Sequence, residues 1–169
     1  MPRRREGEMM ARTVFYSFHY KNDVHRVQLV EQMGALEGQP ILNSQEWEKI
    51  EAQGPNAVQR WIDEQMKHKR TVAVLIGRQT STRPWVKYEI EKAWADGRPL
   101  LGVRIHGLSS MGSVDSEGTN PFDVADVPSH LIPVFDPTQK DWRGVIDSKA
   151  TYNYLAANIE GWTGRGATA

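Results

Sequence analysis

The chain has 169 residues, 39% of them hydrophobic, which is room for one globular domain with its own core. Its 21 basic and 21 acidic residues cancel, so no net field recruits nucleic acid or an anionic membrane, and a small molecule or a protein is the expected partner. The absence of cysteine excludes disulfides, thiolate zinc sites and thiol redox chemistry; with no apolar run near the roughly 20 residues of a bilayer span and no secretory leader, a cytoplasmic protein is expected.

Residues 1–12 are charged and aperiodic and read as a disordered lead, within which Met9 or Met10 is an alternative start and Arg3 to Arg5 a solvated run. Thr13 to Phe18 then reads as a strand, and Asn22-Asp23 offers a cap for a helix with Val27, Val30, Met33 and Leu36 inward. Gly34 and Gly38 close that helix, Pro40-Ile41-Leu42 reads as a short second strand, and a polar loop carrying Trp47 runs on to Gly54-Pro55. Pro55 opens a helix in which Val58, Trp61, Ile62 and Met66 recur at helical spacing, and Thr71 to Gly77 is a third strand. Pro84 fits the first turn of the next helix, whose apolar positions are Val86, Ile90, Ala93 and Trp94 and which ends near Asp96-Gly97. Residues 99–105 form a fourth strand, and 106–130, rich in Gly, Ser, Asp and Pro, are a polar insertion. Residues 131–135 suit an edge strand because Pro133 cannot donate a ladder hydrogen bond. Asp147 or Ser148 caps a last helix carrying Tyr152, Leu155, Ala156 and Ile159, and 163–169 read as a flexible tail behind a single domain, 13–162.

This alternation predicts a flavodoxin-like, three-layer α/β fold around a central, mostly parallel five-stranded sheet, with order 2-1-3-4-5 by analogy. Ligands of such sheets bind beyond the carboxyl ends of the strands at the switch point, here strands one and three. Strand one delivers Ser17, Phe18, His19 and Tyr20 there; strand three delivers Gly77 and Arg78, and its helix brings Glu89 nearby. Glu89 flanks the helix's apolar stripe, where a carboxylate is partly withdrawn from water yet reachable from a cleft. That suits chemistry on a sugar or a nucleotide; a solvated helix glutamate is the competing reading.

Phe18 to Asp23 holds no glycine, so P-loop and dinucleotide-fingerprint phosphate binding recede. A receiver-like regulatory domain would need an aspartate where Ile76-Gly77-Arg78 stand. The five histidines show no His-Glu-x-x-His spacing and there is no Gly-x-Ser-x-Gly elbow, so no metal site is expected.

Taken together, Val14 to Asp23, Trp61-Ile62-Asp63-Glu64-Gln65-Met66, Val74 to Gly77, Trp85-Val86-Lys87-Tyr88-Glu89-Ile90 and Gly102 to His106 resemble the TIR-like family of bacterial antiviral defence, in particular its Thoeris ThsB type. In the wider TIR superfamily a Trp four residues before a Glu marks the catalytic glutamate of enzymes that cleave NAD, and Trp85 and Glu89 have that spacing. The resemblance therefore implies a catalytic Glu89, NAD+ as substrate rather than cofactor, and no other cofactor. Breaking the nicotinamide-ribose bond builds oxocarbenium character that one carboxylate can stabilise, and nicotinamide leaves without needing a proton. Glu89 could equally hold a ribose hydroxyl.

Position adds Phe18, His19 and Tyr20 for stacking, Arg78 for a phosphate and Trp47 as a cover, with Ser17, Asp23, Gly77 and Trp85 completing the candidate substrate-binding set. The plainer readings are a core Phe18, a surface Tyr20, a packing Trp47, a turn serine at 17 and a helix cap at 23. Trp61 and Trp94 read as core. The resemblance further implies an ADP-ribose-derived, cyclic signalling nucleotide acting on a separate effector, a phage-derived trigger and self-association. A non-catalytic adaptor that uses the fold only for assembly is the alternative.

Overall fold

A computed structural model describes residues 13–169, so the expected lead at 1–12 lies outside the described residues. The uninterrupted β-favouring run becomes the centre of the sheet: β2 (Thr71–Ile76) is buried at every position, as a strand covered on both faces must be. It pairs in parallel with β1 (Val14–Ser17) on one side and β3 (Leu100–Arg104) on the other, and β4 (Val134–Phe135) adds to β3. Side chains alternate across the sheet. Val72, Val74 and Ile76 face one layer, formed by α3 (Pro55–Lys67) and α4 (Pro84–Ala95), while Ala73 and Leu75 face the other. That second layer is α1 (Tyr20–Gln32), through Val27 and Val30, and α5 (Ser148–Thr163), through Leu155 and Ile159.

The expected three-layer α/β fold and parallel sheet are present, but among the described residues the sheet has four strands, in the order β1-β2-β3-β4. The short second strand expected at Pro40-Ile41-Leu42 is absent. Its place on the open edge of β1 is taken by a single bridge, in which Val14 N donates to Glu37 O, and by the side chain of Gln39. The Gln39 amide accepts from Tyr16 N and donates to Tyr16 O, both at 2.8 Å, and so satisfies the backbone that a neighbouring strand would have paired.

The polar loop expected around Trp47 is a helix, α2 (Ser44–Ala52). Asn43 and Glu46 form a reciprocal capping box, and Trp47 and Ile50, three residues apart, turn toward the core together. The cap expected at Asn22-Asp23 lies three residues too late: α1 starts at Tyr20 with His19 as its N-cap, and Asp23 is inside the helix. Gly34 follows α1 with φ of 69°, the left-handed conformation that stops a helix cheaply only at glycine. The strand expected at 131–135 shrinks to Val134–Phe135, because 129–131 form a 3₁₀ turn and Pro133 precedes the paired residues.

Within 106–130, Leu108 and Phe122 are fully buried in the two core layers, so this irregular stretch is fastened to the body of the domain. Past α5, which Asp147 caps by accepting from Ala150 N, Ala167 exchanges two backbone hydrogen bonds of 2.9 Å with Leu100. No helix among the described residues is long and apolar enough to cross a membrane.

Candidate functional site

Pro84 at the first turn of α4 directs Val86, Ile90 and Ala93 into the core, and the same rotation carries Glu89 to the edge of that buried stripe. Glu89 is 6% exposed, which removes the solvated-glutamate reading. Its Oε1 accepts from Ser17 Oγ at 3.4 Å, a long contact, at the carboxyl end of β1. Burial pushes the Glu89 carboxyl well above the ordinary carboxylate range, and the Ser17 hydroxyl offsets only part of that rise.

Glu89 faces a cleft of about 900 Å³, measured with the open solvent at its mouth. One wall is the start of α4, with Arg83, Trp85 and Val86; the floor is β1 and the loop that follows it, through Phe18, His19 and Tyr20. The far wall is built from the 39–42 segment, Trp47 and Glu51 of α2, and Trp61 of α3. Its aromatics form a continuous run. Phe18 and Tyr20 have ring centroids 5.9 Å apart, Tyr20 stacks on Trp47 at 5.8 Å, and Trp47 meets Trp61 edge-on at 5.8 Å. The Tyr20 hydroxyl donates to Leu42 O, tying this run to the segment that replaces the missing strand. Flat, rigid rings of this kind present a wide stacking surface at small entropic cost.

His19 is nearly buried, and its Nδ1 has no hydrogen-bond partner among the described residues. Burial lowers its pKa, and the charges of Arg83 and Lys21 lower it further, so the imidazole is neutral at neutral pH. The lining thus combines aromatic rings, a buried carboxyl of raised pKa and the cations Lys21 and Arg83.

Of the residues expected from sequence, the structure gathers Phe18, His19, Tyr20, Trp47, Trp85 and Glu89 on this cleft, with Ser17 joined to it through Glu89. Asp23, Gly77 and Arg78 are elsewhere. Asp23 is fully buried beside Arg26, with Nη1 to Oδ1 at 3.3 Å, and burial raises its pKa against the guanidinium's opposing pull. Gly77 packs so closely on it that a Cβ there would sit 2.1 Å from an Asp23 oxygen. Arg78 turns away to pair with Asp115 of the 106–130 stretch at 3.3 Å, and Asn22 and Arg26 reach the same carboxylate. These groups bind the stretch to α1 and to the end of β2, away from the lining of the cleft. Sequence reading missed Lys21, Gln39, Glu51 and Arg83, all of which line it. The available signal was positional: Lys21 follows the Ser17–Tyr20 turn, and Arg83 immediately precedes Pro84.

The family described as Thoeris protein ThsB, TIR-like domain, matches residues 15–110, a stretch that includes every lining residue of the cleft. The chain is also similar to a protein of Bacillus cereus (strain MSX-D12) whose printed name is "Putative cyclic ADP-D-ribose synthase ThsB1". The two are 32% identical over 124 residues, which is 68% of this chain and 62% of the length of that relative.

Proposed function

Because this chain belongs to the TIR-like domain family of the Thoeris protein ThsB, we propose that it cleaves NAD+ at the nicotinamide-ribose bond, with Glu89 as its catalytic carboxylate. The observation that carries this reading is a glutamate only 6% exposed that lines a cleft together with Phe18, Tyr20, Trp47, Trp61 and Trp85.

NAD+ enters with a cationic nicotinamide ring. A positive ring beside Glu89 favours the charged carboxylate and offsets the burial that keeps a proton on it. As the C–N bond lengthens, positive charge passes from the ring to the ribosyl C1′ and its ring oxygen, and nicotinamide leaves neutral with the bonding electron pair. One buried carboxylate then stabilises the cation, more strongly than it would in water. Ser17, whose hydroxyl already donates to Glu89 Oε1, holds that carboxyl in place. The ribosyl cation is captured by the nucleophile nearest to it. Water yields ADP-ribose; the substrate's own adenine, folded back over the stacked rings, yields a cyclic product. The printed name of the Bacillus cereus relative supports the cyclic outcome. In this account the product is a diffusible signal that activates a separate effector after phage infection, and self-association or a phage-derived cue completes the pocket.

The test incubates the purified chain with NAD+, alone and with lysate from phage-infected cells, and follows nicotinamide and the ribosyl products by chromatography. The expected result is nicotinamide released in step with an ADP-ribose-derived product. NAD+ left intact under both conditions contradicts the proposal and favours the assembly-adaptor reading.

A further inference from the structure

The cleft holds charged side chains beyond those that the cleavage step uses. Lys21, at the start of α1, and Arg83, at the start of α4, both line it, and among the described residues neither side chain has an ion-pair or hydrogen-bond partner. Arg78, by contrast, is neutralised by Asp115. Lys21 lies four residues past Ser17, whose hydroxyl meets Glu89, and Arg83 six residues before Glu89, so both cations enter the cleft from the segments that carry the Ser17–Glu89 pair. Tyr20, between His19 and Lys21 in the chain, stacks on Trp47 and continues the lining onto α2. One helical turn further along α2, on the same side of that helix, Glu51 also lines the cleft, and its carboxylate too has no partner among the described residues. One cleft thus holds a buried carboxyl, two unpaired cations, stacking rings and a carboxylate without a partner among the described residues.

These groups are the ones that the parts of a dinucleotide call for. If the reacting ribose is at Glu89, the diphosphate is one sugar away, at the two unpaired cations, where charge-assisted bonds hold it. The adenosine then lies along Tyr20 and Trp47 with its ribose toward Glu51. A free 2′-hydroxyl donates a hydrogen bond to a carboxylate, as it does to the acidic residue of dinucleotide-binding folds, whereas a 2′-phosphate meets it as a like charge.

We propose, resting on the NAD-cleaving reading of this site, that Lys21 and Arg83 seat the diphosphate and that Glu51 selects dinucleotides with a free adenosine 2′-hydroxyl, NAD+ over NADP+.

The experiment measures nicotinamide release from NAD+ and from NADP+ under the activating condition for wild type, Glu51→Gln, Lys21→Gln and Arg83→Gln. Wild type is expected to prefer NAD+ by about tenfold in kcat/KM, the size of one like-charge contact near a surface. Glu51→Gln should remove most of that preference, through a lower KM for NADP+. Lys21→Gln and Arg83→Gln should each raise KM for both dinucleotides, by about tenfold for a lost charge-assisted bond, and leave the preference in place. A wild-type preference below about twofold, or one that survives Glu51→Gln, overturns the inference, as does an unchanged KM in both cation variants. Quenching of tryptophan fluorescence by ADP-ribose and by 2′-phospho-ADP-ribose reads the same discrimination without turnover. Selective binding without cleavage counts against the NAD-cleaving reading alone. Cleavage without selectivity counts against this inference alone, and binding of neither ligand overturns it.

Discussion

Burial raises the pKa of Glu89 well above the ordinary glutamate range, because its charged form would sit in a place water barely reaches. This has a consequence for stability with a definite sign. A group whose folded pKa exceeds its unfolded value binds protons more tightly in the folded state, so the folded state is favoured below the ordinary glutamate range and loses that advantage as pH rises from there to the folded pKa. Glu89→Gln keeps the shape and removes the titration. The two proteins should melt at similar temperatures near pH 4, and the variant should melt higher at pH 8, by about a few degrees. Thermal unfolding across that pH range checks it, and a variant that melts lower than wild type at pH 8 contradicts the burial account. Glu89 also shows how far one residue was legible. Its spacing from Trp85 and its place beside Val86 and Ile90 marked it in the sequence, whereas its depth depends on β1 bringing Ser17 alongside, a contact across 72 residues.

At the scale of elements, the sequence was readable where one physical signal dominated. The run from Thr71 to Ile76 could only be a buried strand, and Pro55 and Pro84 each open the helix expected of them. It was misleading around residues 37–52, where two devices replaced the usual ones. Ile41 and Leu42 look like strand residues, yet Gln39 does the pairing with its side chain, which no propensity anticipates. The region of Trp47 looks polar, yet Asn43 and Glu46 cap it as a helix. Both devices shape the cleft's far wall, and their strengths should differ. Gln39→Leu leaves the N–H and C=O of Tyr16 buried without partners and should cost about 2–4 kcal/mol, whereas Asn43→Ala loses one exposed cap and should cost about 1 kcal/mol. Denaturant unfolding of the two variants compares them directly. A loss in Gln39→Leu no greater than in Asn43→Ala would show that the side chain is not holding the edge of β1.

For the molecule as a whole, alternation of strands and helices was enough to foresee three layers and a parallel sheet, because each element must bury an apolar face. The same rule pointed to the loop after β1 and to the helix after β2, which both reach the cleft, but the lining takes nothing from β2 or the turn that follows it and lies toward the 39–42 segment and α2 instead. What the alternation could not convey was the partnership of distant charges. Arg78 lies at the end of β2, where a phosphate ligand was expected, but Asp115 arrives from the 106–130 stretch to claim it. Arg83, five residues on, is left to face the cleft. The whole fold therefore converges on one buried carboxyl. The most direct measurement is the rate of nicotinamide release from NAD+ by Glu89→Gln beside wild type under the activating condition, each protein shown to be folded by its thermal transition. If Glu89 is the catalytic carboxylate proposed, loss of its charge from a water-poor site should lower the rate by about 10²–10³-fold while the fold is retained. A folded Glu89→Gln chain that releases nicotinamide at the wild-type rate would contradict the account.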